Sequence, residues 1–296
     1  MSSPSLRLRL LIFGMRWLVK PKLKRTGTPE KANRDFERAA PFLFSKPKGL
    51  KAVQDGPSSR ITVGTPMADR AILFLHGGAF VTGSQRSYRA FGGRLAKRTK
   101  ATIFLANYPV LQDAPFPAAP NAVLNAWNHL IASGWKAHQI VIAGDSAGGN
   151  LVFGLLSTLL ARNERPAAVL AFSPWTDLTL SGDTIETNRD KDPLIPVSRM
   201  EEAVDLYLNG ADTMHPLASP LFAGFKNPPP VLIQVGGDEV LLSDSKRMAE
   251  ATGGAVDVWP YVPHVWQIFD GRLPEANAAM RKAAAFVQSS FESAKR

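Results

Sequence analysis

Residues 139–161 read Gln-Ile-Val-Ile-Ala-Gly-Asp-Ser-Ala-Gly-Gly-Asn-Leu-Val-Phe-Gly-Leu-Leu-Ser-Thr-Leu-Leu-Ala. The apolar run from Gln139 to Ala143 predicts a buried strand, and Asn150 to Ala161 predicts a helix. Between them stands Gly144-Asp145-Ser146-Ala147-Gly148. A Gly-x-Ser-x-Gly pentapeptide alone occurs by chance about one time in ten in a chain this long. Its position between a strand and a helix is what gives it meaning. A serine on a tight strand-to-helix turn is exposed as a nucleophile, and its neighbours two positions away lie so close to backbone that only glycine fits. The bland alternative is a glycine-rich helix entry with no strain and no chemistry.

The same alternation continues on either side. Ala71 to Leu75, Thr102 to Ala106, Ala168 to Phe172, Val231 to Val235 and Val256 to Trp259 read as strands. Tyr88 to Thr99, Ala118 to Ala132 and Ser243 to Ala251 have helical period. Strands alternating with helices predict an α/β protein with a mostly parallel sheet covered on both faces. Leu50 to Gln54 and Arg60 to Val63 flank Asp55-Gly56-Pro57-Ser58, a hairpin leading into the sheet. Residues 1–45 and 178–220 do not follow the alternation. They are read as an N-terminal cap segment and a second cap segment, the first preceding and the second lying within a catalytic domain over 46–296.

Of 296 residues, 45% are apolar and 20% charged, the composition of an ordinary globular protein. The net charge of +10 is concentrated at the start: residues 1–60 hold 14 Lys or Arg and 4 Asp or Glu, so the main body is neutral and nucleic-acid binding is not indicated. Arg7, Arg9, Arg16, Lys20, Lys22, Lys24 and Arg25 flank Leu10, Leu11, Ile12, Phe13, Trp17 and Leu18. Such a segment is either an amphipathic helix packed on the protein's own body, the favoured reading, or a weak membrane-surface contact. It is too short and too interrupted to span a bilayer, and no small-residue cleavage site follows it. The chain has no cysteine, which rules out disulfides and thiolate catalysis and fits a cytoplasmic location. The sequence leaves the oligomeric state open, a homodimer included.

Serine is a poor nucleophile at neutral pH, so a base and an acid that orients the base are required. Of five histidines, His76 precedes the serine, His129 and His138 lie just before its strand, and His215 lies in the second cap segment. His264, in Pro263-His264-Val265-Trp266, follows the last strand, and the chain order serine, acid, histidine selects it. The acid belongs after the strand ending at Val235, where Asp238 and Glu239 compete. Asp192, in Asp192-Pro193-Leu194, lies too early, and Asp145 is turned away by its place beside the strained serine. Upstream, His76-Gly77-Gly78-Ala79-Phe80 follows the strand ending at Leu75. The amides of Gly77 and Gly78, with that of Ala147, can hold an oxyanion, and His76 orients the loop. No metal or cofactor is called for by these residues.

In combination the motifs resemble the bacterial members of the hormone-sensitive lipase family of esterases. The likeness includes the His-Gly-Gly loop, the Gly-Asp-Ser-Ala-Gly form of the serine motif, Pro115 to Ala119, Ser173 to Leu178, Ser219-Pro220-Leu221 and Pro263-His264-Val265. The resemblance implies the α/β-hydrolase fold, hydrolysis of short-chain carboxylic esters through an acyl-enzyme on Ser146, and a pocket partly walled by the N-terminal segment. An amidase or small-molecule deacetylase would use the same residues, and a catalytically silent ligand-binding protein on this fold is the rival of another class. The family's acid-x-Leu spacing implies Glu239, with Leu241 as the leucine, and Asp238 stays as the alternative. One departure stands out: where the family carries an arginine and a glutamate after the tyrosine, this chain has Pro109-Val110-Leu111-Gln112-Asp113 after Tyr108, so an ion-pair brace is missing.

Overall fold

The structure, a computed structural model, describes residues 3–295. Its strands are β1 (Leu50–Asp55), β2 (Ser58–Val63), β3 (Ala71–Leu75), β4 (Thr102–Ala106), β5 (Ile140–Asp145), β6 (Ala168–Phe172), β7 (Val231–Gly236) and β8 (Ala255–Trp259). They form one sheet in the order β1-β2-β4-β3-β5-β6-β7-β8. β1 and β2 are antiparallel to each other, and β2 is antiparallel to β4; all other pairs are parallel. The hairpin is tighter than the sequence suggests, because Asp55 and Ser58 already pair across it.

The helices are α1 (Leu6–Gly14), α2 (Lys20–Lys24), α3 (Pro29–Leu43), α4 (Arg89–Thr99), α5 (Ala118–Ala132), α6 (Ala147–Ala161), α7 (Thr184–Thr187), α8 (Val197–Leu208), α9 (Leu242–Thr252) and α10 (Pro274–Ser293). A single π turn, Met15–Val19, joins α1 to α2. Strands β3 to β7 are buried throughout, which explains their continuous apolar sequences. Successive side chains of a strand point to opposite faces. Leu73, Phe104 and Ile142 therefore meet Trp127 of α5, Val152 of α6 and Met248 of α9 on one face. Phe74, Leu105 and Val141 meet Phe91 of α4 and Met280 of α10 on the other.

The N-terminal helices have their own small core: Leu8 and Met15 pack with Trp266, Phe269 and Leu273. Burying two such side chains contributes about 1.5–3 kcal/mol each. Polar ties add direction. Arg16 donates to the carbonyls of Asp190 and Lys191, and Lys20 to those of Arg189 and Asp192. The N-terminal segment is thus fastened to the chain around Asp192, and that chain is fastened to the turn after β7: Asp192 Oδ2 accepts from the Val240 amide, and Asn188 donates to the Glu239 carbonyl.

The parallel register decides where the site lies. Leu75 pairs with Gly144, Asp145 with Phe172, and Phe172 with Gln234, so the loops after β3, β5, β6 and β7 leave one edge of the sheet together. Ligands of open α/β sheets bind at this carboxyl edge.

Candidate active site

Ser146 stands between β5 and α6 with φ 52° and ψ −121°, a conformation a non-glycine residue adopts only at a cost of roughly 1–3 kcal/mol. The surroundings enforce it. The Ser146 amide donates to the Phe172 carbonyl and its own carbonyl accepts from Trp175. The flanking glycines leave no room for a side chain: a Cβ on Gly148 would lie 2.1 Å from the Leu75 carbonyl oxygen, and one on Gly144 would lie 2.6 Å from that of Gly148. This steric demand is what makes the pentapeptide read Gly-x-Ser-x-Gly.

His264 and Glu239 are joined directly, His264 Nδ1 to Glu239 Oε2 at 2.7 Å. A carboxylate only accepts, so Nδ1 is the donor, and in the neutral ring it is Nε2 that carries the lone pair. Glu239 is fully buried, and its other oxygen accepts from the Gly236 amide at 2.6 Å and from the Ser173 hydroxyl at 2.7 Å. Asp238 lies half-buried in the same turn, outside this chain of bonds. Burial disfavours charge on His264, but the charge and hydrogen bond of Glu239 outweigh it and raise its pKa above the ordinary 6.5.

The loop after β3 departs from its sequence reading at one residue. The Gly77 amide donates to Asp145 Oδ1 at 2.9 Å, so it faces the serine turn rather than open space. The amides of Gly78 and Ala79 donate to no acceptor among the described residues, and both residues, half-buried, line the cavity described below. Gly78 has φ 119°, and Ala79 and Phe80 continue with φ 55° and 60°. The sequence missed Ala79 because alanine carries no signal for a left-handed conformation. The amide of Ala147 belongs to the first turn of α6, where N–H groups have no partner inside the helix.

Asp145 makes no hydrogen bond to His264 and holds this loop instead. Its Oδ2 accepts from the Tyr88 hydroxyl at 2.8 Å, and burial raises its pKa to about 7. His76 stacks on Tyr108 with ring centroids 4.2 Å apart and bonds the Gly77 carbonyl through Nδ1; burial lowers its pKa to about 4, so it is neutral and structural. The missing ion pair after Tyr108 has a substitute: the Leu111 amide donates to the Phe80 carbonyl and the Gln112 side chain to that of Val81.

Ser146 and His264 open on one cavity of about 630 Å³. Its walls come from α1 and α3 on one side and from α8 and the residues before it on another, with Leu11, Phe36, Ile195 and Met200 among the apolar lining. Among the described residues no cluster of side chains suits a metal ion, and no helix is long and apolar enough to cross a membrane.

A strained serine, a carboxylate-bound histidine and free amides around one apolar cavity define a serine hydrolase. The profile of the alpha/beta hydrolase fold matches residues 72–267. The chain is 33% identical over 248 residues to an acetyl-hydrolase of Streptomyces hygroscopicus, covering 79% of this chain and 83% of that one. It is 34% identical over 230 residues to an esterase of Acinetobacter venetianus, covering 75% and 76%. A crystal structure of an esterase from the bacterial hormone-sensitive lipase family has a TM-score of 0.90 at 31% identity, covering 98% of this chain and all of that one. EstE5, crystallised with p-nitrophenyl butyrate soaked in, has a TM-score of 0.90 at 32% identity over 97% and 99%. The chain belongs to the bacterial hormone-sensitive lipase family and is a carboxylic ester hydrolase.

Proposed function

We propose that Ser146, His264 and Glu239 form the catalytic triad of this esterase, with the amides of Gly78, Ala79 and Ala147 as the oxyanion hole. The observation that carries the assignment is the 2.7 Å bond from His264 Nδ1 to a carboxylate that is itself fully buried and held by two further donors. With Nδ1 fixed as donor, Nε2 takes the proton from the Ser146 hydroxyl as its oxygen attacks the ester carbonyl. The carbonyl oxygen, now negative, is met by the free amides. His264 then gives the proton to the departing alcohol. Water, activated by the same nitrogen, adds to the acyl-enzyme, and the carboxylic acid leaves with Ser146 restored.

In this reading Gly77 positions rather than binds. Its amide on Asp145 locks the loop so that the next two amides turn toward the cavity. Residues 1–45 and 178–220 act as cap segments, since both contribute walls of the cavity that receives the acyl group. Short acyl chains are accommodated there with most of the volume to spare.

Hydrolysis of soluble aryl esters by Glu239→Ala and Asp238→Ala tests the acid assignment. Glu239→Ala should lose at least about 100-fold in kcat/KM, and Asp238→Ala should stay within about threefold of wild type. A larger loss in Asp238→Ala would transfer the acid role to Asp238.

A further inference from the structure

The helical stretch from α1 through the π turn is apolar on two sides, and only one of them is covered. Leu8 and Met15 are buried against the segment after β8. Leu6, Leu10, Phe13 and Trp17, spaced along the outer side, are 72%, 64%, 63% and 63% exposed. An exposed apolar stripe rimmed by charged residues marks a protein or membrane contact site. This helix cannot roll to hide its outer stripe, because Arg16 and Lys20 fasten it to the backbone carbonyls of residues 189–192.

Charge says what covers the stripe. The first 25 residues contain seven basic residues and no acidic one, and Arg7, Arg9, Lys22, Lys24 and Arg25 are exposed. A second copy of this face would bring like charges together, whereas an anionic lipid surface supplies the opposite sign along with an apolar phase for the stripe. Position says what the contact does. Leu10 and Leu18 are exposed and also line the cavity that holds Ser146, so a surface seated on the stripe lies across the cavity mouth.

We propose that α1 and the π turn form a docking face for anionic lipid surfaces, which presents the mouth of the Ser146 cavity to esters dissolved in the lipid. Phe13 and Trp17, whose rings pack 6.5 Å apart, enter the interfacial layer, where tryptophan is favoured, and the arginines and lysines meet the headgroups. The delivery of substrate rests on the esterase reading above; the docking itself does not.

The test compares the full chain with Phe13→Glu/Trp17→Glu and with Arg9→Glu/Lys24→Glu. None of these side chains lines the cavity. Co-sedimentation with phosphatidylcholine vesicles containing phosphatidylglycerol is measured at low and high salt, beside hydrolysis of a soluble aryl acetate and of a long-chain aryl ester carried in the same vesicles. Wild type should sediment with the anionic vesicles at low salt and be released at high salt. Each double variant should bind at least about tenfold more weakly and hydrolyse the vesicle-borne ester correspondingly more slowly, with the soluble acetate hydrolysed at the wild-type rate. Wild type that stays in solution with anionic vesicles, or a Phe13→Glu/Trp17→Glu variant that binds them as wild type does, overturns the proposal. So does a wild-type dimer that this variant converts to monomers without any vesicle binding, which would assign the stripe to a second copy. Failure on the soluble acetate by wild type would instead strike the esterase reading, whatever the vesicles show.

Discussion

His264 is held between two opposing influences, burial that disfavours its charge and Glu239 that favours it, and the second prevails. As the proposed base, His264 must be neutral to act, so kcat/KM should fall as pH drops through a value above the ordinary 6.5. Glu239→Gln removes the favouring charge and leaves the burial. The acid limb of the pH profile should then move to lower pH while the plateau falls by about 10²–10⁴. An unmoved limb would mean that Glu239 does not tune this histidine. The stability linkage has the opposite sense: a raised histidine pKa adds stability that is complete below 6.5 and is lost as pH rises through the folded value. Asp145 offers a second test at this scale. Asp145→Ala frees the Gly77 amide and should lower kcat by about 10- to 100-fold with KM within about threefold, because the loop that presents the oxyanion donors drifts. Asp145→Asn, which keeps an acceptor for Gly77, should restore most of the rate. Equal losses in both variants, or a loss confined to KM, would remove Asp145 from the positioning role.

Among the elements, α1 and α8 wall the cavity proposed to take the acyl group, and Gly14 at the end of α1 gives a clean way to probe it. Gly14 lines the cavity, and a Cβ built there meets nothing within 4 Å. Gly14→Phe therefore adds a side chain at the cavity wall whose Cβ meets no clash, and the helix loses nothing by giving up a glycine. The expected outcome is a rate ratio of long-chain to acetyl aryl esters at least about tenfold below wild type, with acetyl ester hydrolysis kept. An unchanged ratio would place the acyl chain elsewhere. The central strands were legible in the sequence because each is buried on both faces and reads as an apolar run between turn signals. The π turn at Met15–Val19 was not, since one extra residue in a helical turn leaves no mark on composition. Nor was Ser173, which joins Glu239 to the Val265 amide across 66 and 92 residues of chain and has a left-handed φ of 45°.

Across the whole molecule, the sequence names candidate site residues where chemistry restricts the residue type and is silent where only backbone geometry decides. Gly144 and Gly148 were legible because a Cβ at either would run into backbone oxygen, while Ser146 was selected by its motif and His264 by chain order. The residue-level reading left Asp238 and Glu239 tied, since both are carboxylates in one turn; packing separates them by burying Glu239 against three donors. Gly77 differed from expectation, and Ala79 was not foreseen, because which amide points into a cavity is a matter of φ and ψ that a sequence does not print. The uneven charge, in turn, is a property of the whole chain: most of the basic excess lies in the segment that walls the cavity and carries the exposed stripe, where residues 1–45 hold 10 Lys or Arg and 3 Asp or Glu. Every role proposed for the site depends on an acyl group passing through Ser146. Rapid acid quench during turnover of an aryl ester, followed by peptide mass analysis, measures this directly. The account predicts one acyl adduct, on Ser146, that is absent from Ser146→Ala, whose hydrolysis falls by at least about 10³-fold. An adduct on another residue, or wild-type hydrolysis by Ser146→Ala, would contradict it.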